Sequence, residues 1–436
     1  MRYYSTNDQT LQATLEEAVL KGYADDGGLF LPDHIPVLPQ AFVSNLHAMT
    51  LQEMSYAIAD YAWQGDIDAS VLHDIVMETL NFPIPLTYVG GNRFSLELYH
   101  GPTMSFKDVG TRFMGRVVSH FTSRRHQKIN VLVTTSGNAG GAVANGFYAI
   151  PNVNVFILYP QDSLEPLQEA QFATLGGNVT ALEVNGTLDD CREMVRDAFA
   201  DKELNSEMHL TTARTINVAR LLPQVFYYFY AYAQLADREQ DLDNVVFAVP
   251  CGNLGNLTAG IMAKKMGLPV KRFIAADNRN NVFTQYLETG DFMPQQSIPS
   301  VAPAMDIGDP QNFPQLKSLL HSHMEMCELI EGVAYNDEQI MNAIKHAWHD
   351  EHYLLDPQSA TAYQALLDCL HEGETGVALA TAHPAKYRNT VEQAIGKAVH
   401  VPGTLASFLG GTRHVTTLGS GYNALKQFLL KHNAQQ

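Results

Sequence analysis

The sequence predicts an α/β fold with mainly parallel sheets, helices on both sheet faces and a mostly helical N-terminal part. Two observations predict it. From residue 130 onward, short aliphatic runs alternate with helix-like segments, which is the pattern of βαβ units. Residues 1–95 instead consist largely of helical stretches and loops, including an amphipathic segment at 10–21.

The predicted strands share a compact apolar pattern, and most of them lead into a helix. They are residues 130–134, 152–160, 178–184, 245–250, 272–277 and 376–381. Residues 279–313 are rich in Pro, Asn, Gln and Gly without a clear period, which predicts a long functional or covering insertion. Ligands of parallel sheets bind beyond the carboxyl ends of the strands, so we expect the site there.

The composition indicates a folded protein and argues against several partners. Hydrophobic residues make up 46% of the 436 residues and charged residues 17%, which excludes a disordered chain. The net charge of −18 disfavours nucleic acid and anionic membranes as partners. The length favours two or three domains.

The sequence also predicts a cytoplasmic location. No run reaches the roughly 18 apolar residues of a membrane helix, and the N-terminus lacks the apolar core of a signal peptide. The cysteines are widely separated, which fits neither a disulfide framework nor a zinc site. They are Cys191, Cys251, Cys327 and Cys369. We therefore expect reduced thiols and no metal.

The turn PCGNLGNLTAG, residues 250–260, follows a predicted strand and opens a helix. Gly252 and Gly255 allow close approach of the backbone, and the N–H groups of a helix start suit a phosphate. The segment has no lysine at the position that loops binding nucleoside triphosphates require, so a nucleoside triphosphate site is disfavoured. Two interpretations remain open here, a phosphate monoester site and a tight turn that needs glycines.

A second turn, TTSGNAGG at residues 134–141, also joins a strand to a helix. Ser136 and Asn138 supply polar side chains, and the glycines let the helix approach the sheet. The turn is either an anion cradle or a packing contact. A nicotinamide site is disfavoured because the G-x-G-x-x-G pattern is absent.

Lys107 lies in HGPTMSFKDVGTRFMGR, residues 100–116, near the start of a predicted helix. Gly110 and Thr111, one turn on, are small, so a planar ring could lie over the helix beside the lysine. A lysine held there would be nucleophilic. The alternative is a surface lysine paired with Asp108.

The segment ATAHPAKY, residues 380–387, ends another strand. Thr381 or His383 would face the same edge, and Lys386 in a first helical turn suggests an anion nearby. A surface lysine is the alternative. The aromatic run at 225–233 is interpreted as core rather than as a stacking platform.

Taken together, these motifs resemble the threonine synthases, pyridoxal-phosphate enzymes of fold type II with a tryptophan-synthase-β-like fold. The N-terminal sequence STNDQTLQATLEEAVLKGYADDGGLFLP is similar to the start of that family. The resemblance implies two doubly wound lobes. It divides the chain into an N-terminal extension at 1–95, a first lobe at 96–216 and a second lobe at 217–436 with an insertion at about 279–350.

The resemblance implies the roles of the motif residues. Lys107 would carry the Schiff base, Thr381 would face the pyridine nitrogen and Asn138 the 3-oxygen of the cofactor. The cofactor phosphate would lie on Gly252, Asn253, Leu254, Gly255 and Asn256. One departure is Ser136-Gly137-Asn138, where many relatives of this length have S-G-D.

The implied reaction converts O-phospho-L-homoserine and water to L-threonine and phosphate, with Lys107 as the base for the α-proton. Arg220 and Lys386 would bind the substrate phosphate, with Asn217 and Ser136 as polar helpers. The alternatives are another fold-type-II lyase, such as a threonine dehydratase or cysteine synthase, and a non-catalytic ligand-binding relative. A monomer or a homodimer is expected.

Overall fold

The computed structural model describes residues 1–63, 65–125, 127–238 and 242–434. These residues form two compact units, each assembled from separate stretches of the chain. Unit 1 contains the described residues of 1, 31–106 and 221–401. Unit 2 contains those of 2–30, 107–220 and 402–436.

The strands are short near the N-terminus and longer in the two main sheets. They are β1 (Tyr3–Ser5), β2 (Gln12–Ala13), β3 (Phe30–Pro32), β4 (Leu86–Tyr88), β5 (Arg93–Glu97), β6 (Ile129–Thr134), β7 (Val153–Pro160), β8 (Val179–Asn185), β9 (Leu210–Thr211), β10 (Val245–Pro250), β11 (Arg272–Asp277), β12 (Ile330–Ala334), β13 (Thr375–Ala380) and β14 (Val415–Gly419).

The helices occupy most of the chain between the strands. They are α1 (Leu15–Lys21), α2 (Gln40–Ser44), α3 (Leu51–Ala62), α4 (Ala69–Thr79), α5 (Lys107–Arg125), α6 (Asn138–Phe147), α7 (Pro166–Ala173), α8 (Leu188–Ala200), α9 (Lys202–Met208), α10 (Val218–Leu221), α11 (Val225–Ala236), α12 (Gly255–Lys265), α13 (Val282–Thr289), α14 (Phe313–Leu319), α15 (His323–Leu329), α16 (Asp337–Asp350), α17 (Pro357–Cys369), α18 (Arg388–Ile395), α19 (Gly403–Leu409) and α20 (Tyr422–Ala434). Short 3-10 turns lie at Leu46–Ala48, Leu222–Gln224, Pro303–Met305 and Pro384–Tyr387. In the described part of the chain, no helix combines the length and apolar character needed to cross a membrane.

The sheet of unit 1 has the strand order β12-β11-β10-β13-β5-β4. Its pairs are parallel apart from β4, which runs antiparallel to β5. Every residue of β10 and β13 is buried, which explains their unbroken apolar sequences. Helix α17 packs against β10, β11 and β13. The predicted parallel α/β architecture is confirmed.

The sheet of unit 2 has the order β14-β8-β7-β6-β9 and is parallel throughout. All eight residues of β7 are buried. The C-terminal stretch completes this unit, because β14 pairs with β8 and α20 packs against α8. Leu425 and Leu429 of α20 are fully buried in the core cluster beneath the sheet.

The two units differ from the three consecutive parts expected from the sequence. Residues 402–434 belong with 107–220 rather than with the lobe at 217–436, because β14 extends the sheet at β8. The stretch at 1–95 is itself divided after residue 30. The expected insertion at 279–350 contains β12, which forms the sheet edge beside β11. The placement of β14 and β12 arises from strand pairing between distant residues, and residues 15–21 join unit 2 because α1 packs against α5 and β9. The local sequence pattern carries no signal for either kind of contact.

Helices α5 and α6 of unit 2 approach closely through glycines. A Cβ added to Gly115 would lie 2.3 Å from the carbonyl oxygen of Gly146. A Cβ added to Gly146 would lie 2.7 Å from the carbonyl carbon of Thr111. The two helices, which begin at Lys107 and Asn138, are therefore held at a distance that only glycine permits.

We expect Gly115→Ala to lower the free energy of unfolding by about 1–3 kcal/mol, because the methyl group forces α5 and α6 apart. Urea titration followed by circular dichroism measures the change. The control is Gly403→Ala in α19, where a Cβ has open space within 4 Å. The control should be neutral or slightly stabilising. Equal stability of wild type and Gly115→Ala would contradict the close packing described above.

Candidate active site

The loop after β10 is shaped by a close approach of two main chains. β10 ends at Pro250 and α12 begins at Gly255. A Cβ added to Gly252 would lie only 3.0 Å from the Cα atom of Met305. Leu254, the N-cap of α12, has a left-handed φ of 63°, a conformation that strains residues other than glycine. Such strain in a loop at the carboxyl end of a strand is typical of a binding site.

Asn256 offers a buried donor at the start of α12. Its Oδ1 accepts hydrogen bonds from the hydroxyls of Tyr227 at 2.6 Å and Tyr228 at 2.9 Å. The carboxamide is thereby oriented, and its Nδ2 is buried without a hydrogen-bond partner. A buried unpaired N–H costs free energy that an acceptor ligand would restore. A phosphate at this helix start fits the donor and the helix dipole.

The bonds of these two tyrosines to Asn256 have no signal in the sequence. The aromatic run at 225–233 is largely core, as predicted, and both rings are fully buried. Burial raises the pKa of each hydroxyl well above its usual range, so both remain donors. The residues lie some thirty positions from Asn256 along the chain, and no local pattern indicates such a pairing.

The insertion holds the same loop from a second direction. The side chain of Asn253 donates to Asn312 Oδ1 at 3.1 Å, and its Oδ1 accepts from the backbone N–H of Gln311 at 2.8 Å. The backbone N–H of Asn312 donates to the carbonyl of Asn253 at 3.3 Å. Residues 303–312 therefore fix the turn that α12 follows.

The main chain of Thr381 is held on both sides. Its N–H donates to Ser359 Oγ at 3.0 Å, and its carbonyl accepts from the N–H of Phe106 at 2.9 Å. Ser359 Oγ donates in turn to the buried carboxylate of Asp356, the N-cap of α17. Burial raises the pKa of Asp356 to about 6. Thr381 itself is 7% exposed, at the carboxyl end of β13.

The stretch before Lys107 is attached to the stretch after Thr381. Ser105 forms a β-bridge with Ala382, and the amine of Lys386 donates to the carbonyl of Thr103 at 2.7 Å. Lys386 is only 2% exposed, so the surface-lysine interpretation is wrong. Unit 1 thus brings together the segment at 103–106 and the segment at 381–386, and Lys107 is the next residue along the chain.

In unit 2, Lys107 is the first residue of α5, as predicted, and is half-buried. The expected reason for its small neighbours is wrong. A Cβ on Gly110 would lie 2.7 Å from the carbonyl oxygen of Arg220, so Gly110 makes room for that main chain and not for a planar ring. Thr111 packs against Gly146.

Arg220 is a buried cation in unit 2 with a second cation and an acid nearby. It is 4% exposed, and its guanidinium donates to the carbonyl of Ala213. Burial, followed by repulsion from Arg214, lowers the pKa of Arg220 to about 10, while Asp108 acts in the opposite direction. Arg220 remains charged at neutral pH. Arg214, which the sequence analysis missed, adds a second cation, so this region favours an anion.

Asn217 is committed to the backbone. Its Nδ2 donates to the carbonyls of Val19 at 2.9 Å and Thr212 at 3.3 Å, and its Oδ1 accepts from the N–H of Ala219 at 3.1 Å. These bonds give Asn217 a structural task in attaching residues 212–219 to the N-terminal stretch. Its predicted substrate contact stays a prediction.

The turn at 134–141 is organised by Thr135. Its hydroxyl oxygen accepts from the N–H groups of Gly137 at 3.0 Å and Gly140 at 2.9 Å. Gly137, the N-cap of α6, has a φ of 143°, which favours glycine. Asn138 is 5% exposed and Ser136 is exposed. The turn therefore presents both predicted polar residues at the start of a helix, where N–H groups suit an anionic oxygen.

Comparisons with known families agree with the resemblance in the sequence. Residues 89–381 match the model of pyridoxal-phosphate-dependent enzymes. Residues 2–80 match the threonine synthase N terminus, and residues 359–429 match the threonine synthase C-terminal model.

Individual relatives are similar over nearly the full length. A threonine synthase from Haemophilus influenzae is 41% identical over 406 residues, which cover 93% of this chain and 94% of that protein. The crystal structure of threonine synthase from Escherichia coli superposes with a TM-score of 0.93 at 36% identity, covering 99% of this chain and all of the other. The pyridoxal-phosphate-bound threonine synthase from Brucella melitensis has a TM-score of 0.93 at 29% identity, with full coverage of both chains.

Beside the loop at 252–256, Asp277 is a buried acid at the carboxyl end of β11. Its Oδ2 accepts from the N–H of Thr284 at 3.0 Å and from the Thr284 hydroxyl at 2.8 Å. Burial outweighs these bonds and raises the pKa of Asp277 to about 7. The native protein therefore retains a proton here at pH values where the unfolded chain has lost it.

Stability should consequently fall as the pH rises from about 4 to about 7, because the unfolded state binds fewer protons over that interval. In Asp277→Asn the carboxyl group is replaced by a carboxamide, which does not titrate, so this contribution to the pH dependence is absent. We expect the wild-type free energy of unfolding, relative to that of the variant, to decline by up to about 4 kcal/mol across this range. Urea titrations at several pH values measure the difference. The exposed-residue control Asp309→Asn should follow the wild type, and a pH-independent difference for Asp277→Asn would refute the protonated state.

Proposed function

The chain belongs to the threonine synthase family of pyridoxal-phosphate-dependent enzymes of fold type II, and from this premise we propose that its substrate is O-phospho-L-homoserine. Water and this substrate give L-threonine and phosphate. The protein's own task is then to hold two phosphate groups, that of the cofactor and that of the substrate, and to move a proton at the substrate α-carbon.

The cofactor phosphate binds on the loop at residues 252–256. The observation that carries this assignment is the Asn256 Nδ2 donor, which is buried, unpaired and oriented by two tyrosines at the start of α12. Gly252 allows the main chain at Met305 to approach, and Leu254 caps α12 with a left-handed backbone and without a side-chain capping bond. Thr381 faces the pyridine nitrogen with a neutral hydroxyl, and Asn138 faces the 3-oxygen.

Lys107 is the covalent attachment point. When bound, pyridoxal phosphate withdraws electrons from the substrate carbon skeleton. Lys107 would hold the cofactor through Nζ, and its free amine would take the proton from the substrate α-carbon. The position supports this role, because Lys107 directly follows a segment whose main chain is bonded to Thr381.

Cationic side chains bind the substrate phosphate. Arg220 supplies a charged guanidinium in a region with a second cation, Arg214. Lys386 supplies a buried amine, which donates to the carbonyl of Thr103. Ser136, exposed at its turn, is the proposed polar helper, whereas the side chain of Asn217 is already bonded to the backbone. The four cysteines are free thiols, which supports a reducing cytoplasmic location.

The first test concerns Lys107. The purified protein should be yellow, and borohydride reduction should fix the cofactor to the peptide that contains Lys107, as read by mass spectrometry. Lys107→Ala should lose threonine formation from O-phospho-L-homoserine almost wholly, because both attachment and proton transfer are removed. The control is Lys202→Ala, which changes an exposed lysine. Normal turnover by Lys107→Ala would overturn the assignment, and release of a 2-oxo acid from threonine would favour a dehydratase.

The second test separates the two phosphates. Gly252→Val should weaken cofactor binding, because its side chain meets the main chain at Met305. Arg220→Ala should raise the KM for O-phospho-L-homoserine about tenfold or more, through loss of a charge-assisted hydrogen bond. It should leave the visible spectrum unchanged. Steady-state kinetics and cofactor titration measure both effects, and the reverse pattern would show that the two sites are exchanged.

A further inference from the structure

Gln358 is a buried side chain whose polar atoms are both unpaired. It is the second residue of α17 and only 2% exposed. Neither Nε2 nor Oε1 has a hydrogen-bond partner. Its backbone is satisfied, since the N–H donates to Asp356 Oδ1 at 3.0 Å and the carbonyl accepts from the Thr361 hydroxyl at 2.7 Å. A buried carboxamide without hydrogen-bond partners destabilises the folded protein. The presence of Gln358 at this position therefore points to a ligand that supplies a partner.

The first turn of α17 lies between two parts of the proposed cofactor site. On one side, Ser359 accepts from the N–H of Thr381. On the other, the hydroxyl of Thr361 contacts Met305 Sδ at 3.8 Å, and Met305 lies against Gly252. Because helical side chains point toward the helix N-terminus, Gln358 is directed to the sheet edge where β10 and β13 end.

We propose that Gln358 is a further ligand of pyridoxal phosphate, with Nε2 donating to the edge of the cofactor that carries the phosphate. This inference rests on the proposed function, which puts the phosphate on residues 252–256 and the ring nitrogen at Thr381. A cofactor held at both points would lie near the start of α17, which contacts Thr381 through Ser359 and Met305 through Thr361. Its phosphate oxygens accept and do not donate, so they select the amide nitrogen, while Oε1 is left for a water molecule.

The proposal is tested with Gln358→Met, which keeps a similar volume and removes both polar atoms. The apoprotein should be as stable as the wild type or more stable, because a bare buried amide has been removed. The dissociation constant for pyridoxal phosphate should rise about tenfold or more through loss of a hydrogen bond to a charged group. Thermal unfolding of the apoprotein and fluorescence titration with pyridoxal phosphate measure the two effects.

Gln364→Met is the matched control. Gln364 lies in the same helix, and its amide donates to Asp368 Oδ1 at 3.0 Å. This variant should bind pyridoxal phosphate as the wild type does. Gln358→Glu provides the second arm, since it replaces the donor with a negatively charged acceptor. It should bind more weakly than Gln358→Met because the carboxylate repels the phosphate.

Two results would overturn the proposal. One is a wild-type dissociation constant for Gln358→Met, whatever the stability of its apoprotein; if that apoprotein is also destabilised, the residue is structural. The other is a Gln358→Glu variant that binds as tightly as the wild type. If the wild type binds the cofactor and Lys107 is labelled while Gln358→Met also binds normally, only this inference fails. If Lys107 is not labelled, the proposed function fails first.

Discussion

The buried carboxylate of Asp356 is the group on which the edge of the unit 1 sheet depends. It accepts from the N–H groups that begin α17 and from the Ser359 hydroxyl, and it also bonds the backbone of Ala382. One side chain therefore joins a helix start to a strand end. Through Ser359 it sets the position of Thr381, and through Thr381 that of Phe106. Burial raises the pKa of Asp356, although the hydrogen bonds from both segments act in the opposite direction.

The loop at 252–256 follows the same logic with neutral groups. Two tyrosine hydroxyls fix the carboxamide of Asn256, and Asn253 is bonded to residues of the insertion. The side chains of Asn253 and Asn256 are consequently oriented by the protein itself. A donor that is oriented in advance loses little entropy on binding, so more of the interaction free energy remains as affinity. The insertion thus stabilises the loop through the hydrogen bonds of Asn253 to residues 311–312.

Much of this arrangement could be predicted from the sequence. Buried parallel strands require unbroken apolar runs, so β7, β10 and β13 were expected where they lie. The glycines and polar residues that come after these strands predict the turns that follow them. Contacts between distant residues could not be predicted. The aromatic pattern predicts that Tyr227 and Tyr228 lie in the core, but not that they bond Asn256. The small size of Gly110 predicts space for a ring, but the space is filled by the main chain of Arg220. The sequence of β14 does not indicate that it pairs with β8. In each case the deciding contact joins residues far apart in the chain.

The discontinuity of the units has a consequence for how the protein is made. Unit 1 is complete once Val401 has been synthesised, whereas unit 2 still lacks its last strand, β14, and the helices α19 and α20. Before then, β8 is an open edge, and the surface that α20 covers with Leu425 and Leu429 is bare. An unpaired edge strand and exposed apolar core promote aggregation in a growing chain. The residues after Val401 therefore complete the fold of unit 2. If translation stalls shortly before them, unit 1 can fold while unit 2 stays incomplete and prone to aggregation.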